Sequence, residues 1–236
     1  MSNAVQLISI PNLALTFIPV AVVIGILYSW SLGARTAVYA VIRMLIQLLL
    51  IGYFLVYIFK TDNALVVLLV LAIMLVASSW IAVRPVKHKN YTDYLTALTA
   101  ISIGGITTLW LVTQAVLELQ PWYLPQYMIP LAGMIFANAM NSVSLAAERY
   151  ESEIVKGAAL IDARQTALHA SLIPVINTLF AVGLVSLPGM MTGQILSGVS
   201  PLIAVRYQIM VMCMIFGSAG ISAACFLILY NKKINP

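Results

Sequence analysis

Charge is scarce in this chain. Asp, Glu, Lys and Arg make up 8% of its 236 residues and apolar types 62%, where an average soluble protein is about a quarter charged. An ordinary soluble fold is thereby excluded. Cysteine is limited to Cys213 and Cys225, twelve positions apart in one apolar stretch. That spacing puts them on different faces of a helix and rules out a disulfide between them. There is no CxxC pair, and His88 and His169 are isolated, so no zinc or haem site can be read. No GxxxxGK[ST] loop is present to hold ATP, and neither a nucleophile elbow nor an HExxH pair occurs. The seven carboxylates all fall at the ends of apolar segments or between them, which predicts no buried acid for a proton relay. No Lys or Arg precedes the first apolar run, which argues against a cleaved signal peptide.

Long apolar runs are what the chain does have. They cover about 11–29, 37–59, 64–83, 95–117, 127–147, 166–187 and 205–230, each near the ~20 residues that a helix needs to cross a bilayer. If each crosses once, Arg35, Arg43, Arg84, Lys87, Lys89, Arg149, Lys156, Arg164, Lys232 and Lys233 share one side, and only Lys60 and Arg206 fall on the other. Basic residues mark the cytoplasm. The expected fold is therefore an all-α integral membrane protein of about seven transmembrane helices in a single domain over 1–236, with the N-terminus outside and the C-terminus cytoplasmic. The net charge of +5 belongs to cytoplasmic loops and implies no nucleic-acid partner.

Two connecting segments stand out. From 148 to 165 the chain carries Glu148, Arg149, Glu151, Glu153, Lys156, Asp162 and Arg164, has no Pro and one Gly, and spaces Ile154, Ala158 and Ile161 at helical intervals. This reads as a cytoplasmic amphipathic helix and a contact surface, with a solvated extension of the fifth span as the alternative. The run from Pro188 to Gly198 is too short to cross and reads as too broken for a regular helix. It is expected at the outer mouth or folded back into the protein.

Polar residues inside the spans are few. Arg43 lies about two turns in from the cytoplasmic end of the second span with Gln47 one turn deeper, and Asn141 and Asn138 lie at matching depths on the fifth. An unpaired Arg at such depth costs roughly 2.5–3.5 kcal/mol. These four are therefore expected to form a polar layer with shared hydrogen bonds, the competing reading being that Arg43 snorkels to the surface. Asn177 is a further interior candidate. Of the 11 methionines, Met190, Met191, Met210 and Met214 cluster in the last third. They read mainly as flexible packing, and as ligands their thioethers would suit copper(I) better than harder ions.

Val182 to Gly193, reading VGLVSLPGMMTG, with Pro201 and Arg206 to Val211, RYQIMV, resembles the signature of FetB-type ABC transporter permeases, a group of bacterial iron-export and plant aluminium-tolerance permeases. Arg43 to Phe59 and Ile129 to Met140 are similar to it as well. The resemblance implies a permease of the bacterial inner membrane that binds no cofactor itself. It would work with a cytoplasmic ATPase subunit carrying ATP and Mg, two permeases with two ATPases. Arg43, Gln47, Asn138, Asn141, Asn177, Met190 and Met191 would then line the path. The 148–165 segment would be the coupling helix, with Glu148, Arg149, Glu151, Glu153, Lys156, Gly157, Asp162 and Arg164 at the ATPase. Glu151 and Gly157 keep a spacing like the EAA loop of importers, but the turn proline of many relatives is absent. Iron is the implied substrate, although plant relatives are linked to UDP-glucose. From the residues alone, an anion permease, an ATP-independent channel or carrier, and a non-transporting scaffold stay open.

Overall fold

The computed structural model describes residues 8–86 and 90–234, so Lys87, His88 and Lys89 of the basic connection lie outside the described residues. The described chain is helical and divides into two compact units, 1–61 and 62–236.

The first unit holds α1 (Ile10–Leu15), α2 (Phe17–Ser29) and α3 (Ala34–Ile58). Ser9 caps α1 by accepting from the Asn12 N–H at 3.4 Å. The break at Thr16 is held by its hydroxyl, which donates to the Leu13 carbonyl at 2.7 Å. Gly33, with φ +74°, turns the chain into α3; a left-handed residue there costs glycine nothing. Arg43 and Gln47 lie one turn apart on α3.

The second unit holds α4 (Ala64–Ala82), α5 (Tyr91–Trp110), α6 (Pro125–Val155), α7 (Leu160–Ala181), α8 (Gly189–Leu196) and α9 (Pro201–Ile234). Asn63 caps α4. A capping box of Asn90 and Asp93 opens α5, which continues into a π-helical turn at Leu111–Val116. The central contacts are those of α9 with α5 and α6, and of α6 with α7. They are close because small residues meet there. A Cβ on Gly104 would stand 2.8 Å from the Ser222 nitrogen and 3.0 Å from the Ser218 oxygen, and one on Gly105 would stand 2.8 Å from the Phe136 ring. Such small-residue contacts let backbones approach where lipid offers no hydrophobic drive between helices. Around them Ile101, Ile135, Val143, Tyr150, Phe226 and Leu227 form a buried core.

Among the described residues six helices are long and apolar enough to cross a membrane: Ile10–Ser29, Ala34–Ile58, Ala64–Ala82, Tyr91–Val116, Pro125–Val155 and Pro201–Tyr230. The run at 166–187 is not among them. Its helix, α7, starts earlier and stops at Ala181, and Asp162, Arg164, Gln165 and His169 dilute its first half. Beyond it the chain turns tightly, with the Gly183 N–H donating to the Ser186 carbonyl at 3.0 Å and Gly183 at φ +86°.

Three further expectations need correction. The stretch after Pro188 is not irregular, since α8 runs through it; Pro188 stands as its N-cap and leaves the helical hydrogen bonds intact. The 148–165 segment is not a helix of its own. Residues 148–155 end α6, and Gly157 at φ +83° turns the chain before α7 begins at Leu160. The chain also does hold a buried acid: Asp93 lies at a segment end, as read, yet is 1% exposed. Capping places it there, its carboxylate accepting from the Asn90 N–H at 3.0 Å.

Candidate functional site

Halfway along α6, Asn138, Asn141 and Ser142 face Ser171, Pro174 and Thr178 of α7 across a cavity of about 130 Å³ that Ile215 of α9 closes. The Ser142 hydroxyl donates to the Ser171 carbonyl at 3.4 Å, which ties the two helices together. The Asn138 amide donates to the Met134 carbonyl one turn back at 2.8 Å, and the Thr178 hydroxyl donates to the Pro174 carbonyl at 2.9 Å. Pro174 itself brings no N–H, so the carbonyl of Ala170 lacks its usual helical donor. The lining is thus neutral and rich in oxygen acceptors. Asn138 and Asn141 both line this cavity, whereas Asn177 is exposed and lies outside the lining. Ser142, Ser171 and Thr178 escaped the sequence reading, because a hydroxyl in a transmembrane helix commonly bonds its own backbone and carries no positional signal. Their spacing was the available clue: Ser142 is one turn from Asn138, and Thr178 is two turns from Ser171.

A second cavity, of about 340 Å³, opens where α6 and α9 begin and α8 packs on α9. Met190 and Gln194 of α8, Gln126, Tyr127 and Pro130 of α6, and Tyr207 and Met210 of α9 line it. Two of the grouped methionines, Met190 and Met210, therefore line one cavity. Met214 is 2% exposed within the hydrophobic core, and Met191 does not line the cavity, so these four do not form one ligand set. Among the described residues no group of three His, Cys, Asp or Glu side chains could hold a metal ion. Cys213 and Cys225 are free thiols.

At the opposite end of α6, Glu153 gathers two cations, with the Arg149 guanidinium at 2.9 Å and the Lys156 ammonium at 3.1 Å. Glu151 points the other way and accepts from the Tyr230 hydroxyl of α9 at 3.1 Å. The Tyr230 ring stacks on Phe226 at 5.1 Å between centroids and meets Tyr150 edge-on at 5.9 Å. The corner between α6 and α7 is thereby anchored to α9. Glu148, Lys156, Gly157 and Asp162 are exposed on it, and Arg164 is half-buried. Of the apolar stripe expected there, Ile154 and Ala158 pack against the core, but Ile161 is 61% exposed because the turn at Gly157 breaks the helical phase. Val155, 79% exposed, stands beside it. Exposed apolar side chains thus stand among charged ones at this corner.

The model of the Uncharacterised protein family UPF0014 matches residues 10–234. The UPF0014 membrane protein slr1647 of Synechocystis is 43% identical over 190 residues, 73% of each chain. The protein named "Probable iron export permease protein FetB" of Escherichia coli is 33% identical over 95% of this chain and 92% of its own length. Protein ALUMINUM SENSITIVE 3 of Arabidopsis thaliana is 33% identical over 90% of this chain and 82% of its own. No solved structure matches the chain. With six apolar helices and relatives aligned along almost its whole length, this chain is an integral membrane protein and belongs to the UPF0014 family, the FetB-type group that its signature segment resembles.

Proposed function

We propose that the chain is the membrane-spanning permease subunit of an ABC transporter, that a separate cytoplasmic ATPase drives it, and that it exports iron across the inner membrane. The observation that carries this reading is the construction of α6. One helix lines the neutral polar cavity with Asn138, Asn141 and Ser142, and the same helix ends in the charged corner at Arg149, Glu153 and Lys156. α6 is about 46 Å long at 1.5 Å per residue, against a hydrocarbon core of about 30 Å, so its last turns reach water. A push on the corner is passed along α6 and α7 to the cavity between them. α7 is then a seventh crossing, its 22 residues running back beside α6 for about 33 Å, with the N-terminus outside and the C-terminus cytoplasmic. Similarity to FetB over 95% of the chain supports iron as the substrate, and the missing phosphate loop supports a separate ATPase.

A second substrate class is favoured by one feature. Among the described residues the cavity presents amides and hydroxyls with no carboxylate or imidazole, so nothing in its lining balances the charge of a bare divalent ion, and a chelated metal or a nucleotide sugar such as UDP-glucose is the second reading. Proteoliposomes that contain the permease with its ATPase separate the two. ATP-dependent movement of ferrous iron, without movement of UDP-glucose, supports the iron reading. Movement of the nucleotide sugar alone removes the metal, and solute flux without ATP or ATPase overturns the ABC assignment.

A further inference from the structure

The signature that carries the family resemblance has no part in the cavity between α6 and α7. Its side chains converge elsewhere, on the second cavity, where Met190 from the first half of the signature and Tyr207 and Met210 from the second stand on one wall each of the same 340 Å³ space. The remaining wall is the start of α6, including Pro130 and Leu131 of the Ile129 to Met140 stretch.

Several groups of this cavity offer lone pairs, beside the N–H and O–H donors of Gln126, Tyr127 and Tyr207. The Gln194 carbonyl oxygen, Oε1, is buried and without a hydrogen-bond partner. Pro130 offers no N–H to the backbone carbonyl of Gln126 one turn back. The sulfurs of Met190 and Met210 are lone-pair donors to a metal and carry no proton. Among the described residues no charged side chain lines the space, and Arg206 is exposed and outside it. A buried oxygen left unpaired is destabilising, and a ligand that accepts its lone pairs removes that cost. Thioethers narrow the choice, since they are weak hydrogen-bond acceptors but good ligands for soft metals. Charge narrows it further. A divalent ion held only by neutral groups would keep its charge uncompensated in a buried site, whereas a singly charged soft ion suits a neutral S and O ligand set.

We infer that the cavity between α8 and the first turns of α6 and α9 is a binding site for a soft monovalent metal cation, held by the thioethers of Met190 and Met210 and the amide oxygen of Gln194. The inference concerns this chain alone and stands apart from the ATPase reading.

Silver(I) is the probe. The full chain, labelled with carbon-13 at its methionine methyl groups and held in lipid nanodiscs, is titrated with silver(I) in a Cys213→Ser, Cys225→Ser background, because thiolates would compete. The Met190 and Met210 resonances are expected to shift together and to saturate at one equivalent, with Met191 and Met214 unmoved and magnesium(II) without effect. Met190→Leu and Met210→Leu conserve volume and are tolerated in packed sites; each is expected to weaken binding at least tenfold. Gln194→Leu keeps both sulfurs and is expected to weaken binding severalfold while the same two resonances respond. If neither resonance responds, or if all methionines respond alike, the site is overturned. Silver binding of equal strength in Gln194→Leu removes the amide from the ligand set.

Discussion

Gly104 has no side chain to lose and no room for one, because α9 passes so close that its Ser222 nitrogen would meet a Cβ at 2.8 Å. Gly104→Ala is therefore expected to force α5 and α9 apart and to cost about 1–3 kcal/mol. A lowered thermal midpoint of the purified protein in detergent checks this, and an unchanged midpoint would mean that the contact yields freely. The asparagines allow a matched comparison. Asn141 and Asn177 are both exposed, but Asn141 lines the cavity between α6 and α7 and Asn177 lies outside it. Asn141→Leu is expected to slow transport about tenfold, on the order of the 1–1.5 kcal/mol of one hydrogen bond, and Asn177→Leu to leave it within twofold. Initial rates in proteoliposomes measure both, and a reversed order would move the path to another face of α7.

Helix ends explain which elements were legible in the sequence. The long apolar runs found all the long helices, because a membrane-spanning segment is almost defined by its composition. Asn63 and Asn90 mark the starts of α4 and α5 with their caps. The corner at 156–159 was harder, since the apolar spacing of Ile154, Ala158 and Ile161 continues through it. One glycine with φ +83° breaks the phase, and only Gly157 itself hinted at that. Asp93 looked solvated because nothing in its neighbourhood in the sequence shows that a cap will be covered by other helices. Gly157→Ala is expected to cost about 1–2 kcal/mol through left-handed strain, read as a lowered thermal midpoint. Glu153→Lys replaces the acid shared by Arg149 and Lys156 with a third cation. It is expected to abolish capture of the ATPase while leaving the protein in the membrane fraction, as measured by affinity pull-down after membrane isolation. Normal capture would place the docking surface elsewhere.

At the scale of the whole molecule, the second unit places its two cavities and its charged corner at different heights along α6. The signature cavity lies where α6 and α9 begin, the asparagine cavity lies halfway along α6, and the charged corner closes the far end, tied to α9 by the Tyr230 to Glu151 hydrogen bond. The sequence pointed to Asn138 and Asn141 but not to the hydroxyls of Ser142, Ser171 and Thr178 that share their cavity. Asn138 and Asn141 are near neighbours in the chain, whereas Met190 and Met210 come to line one cavity through the packing of α8 on α9. The central claim is that the corner conveys ATP-driven work to a substrate path. Its most direct test is ATP hydrolysis by the permease copurified with its ATPase and reconstituted in lipid, with ferrous iron and UDP-glucose added in turn. The account predicts that ferrous iron stimulates hydrolysis severalfold and that Tyr230→Phe, which leaves the ATPase bound, reduces that stimulation. Hydrolysis indifferent to either solute, or no ATPase recovered with the permease, would contradict it.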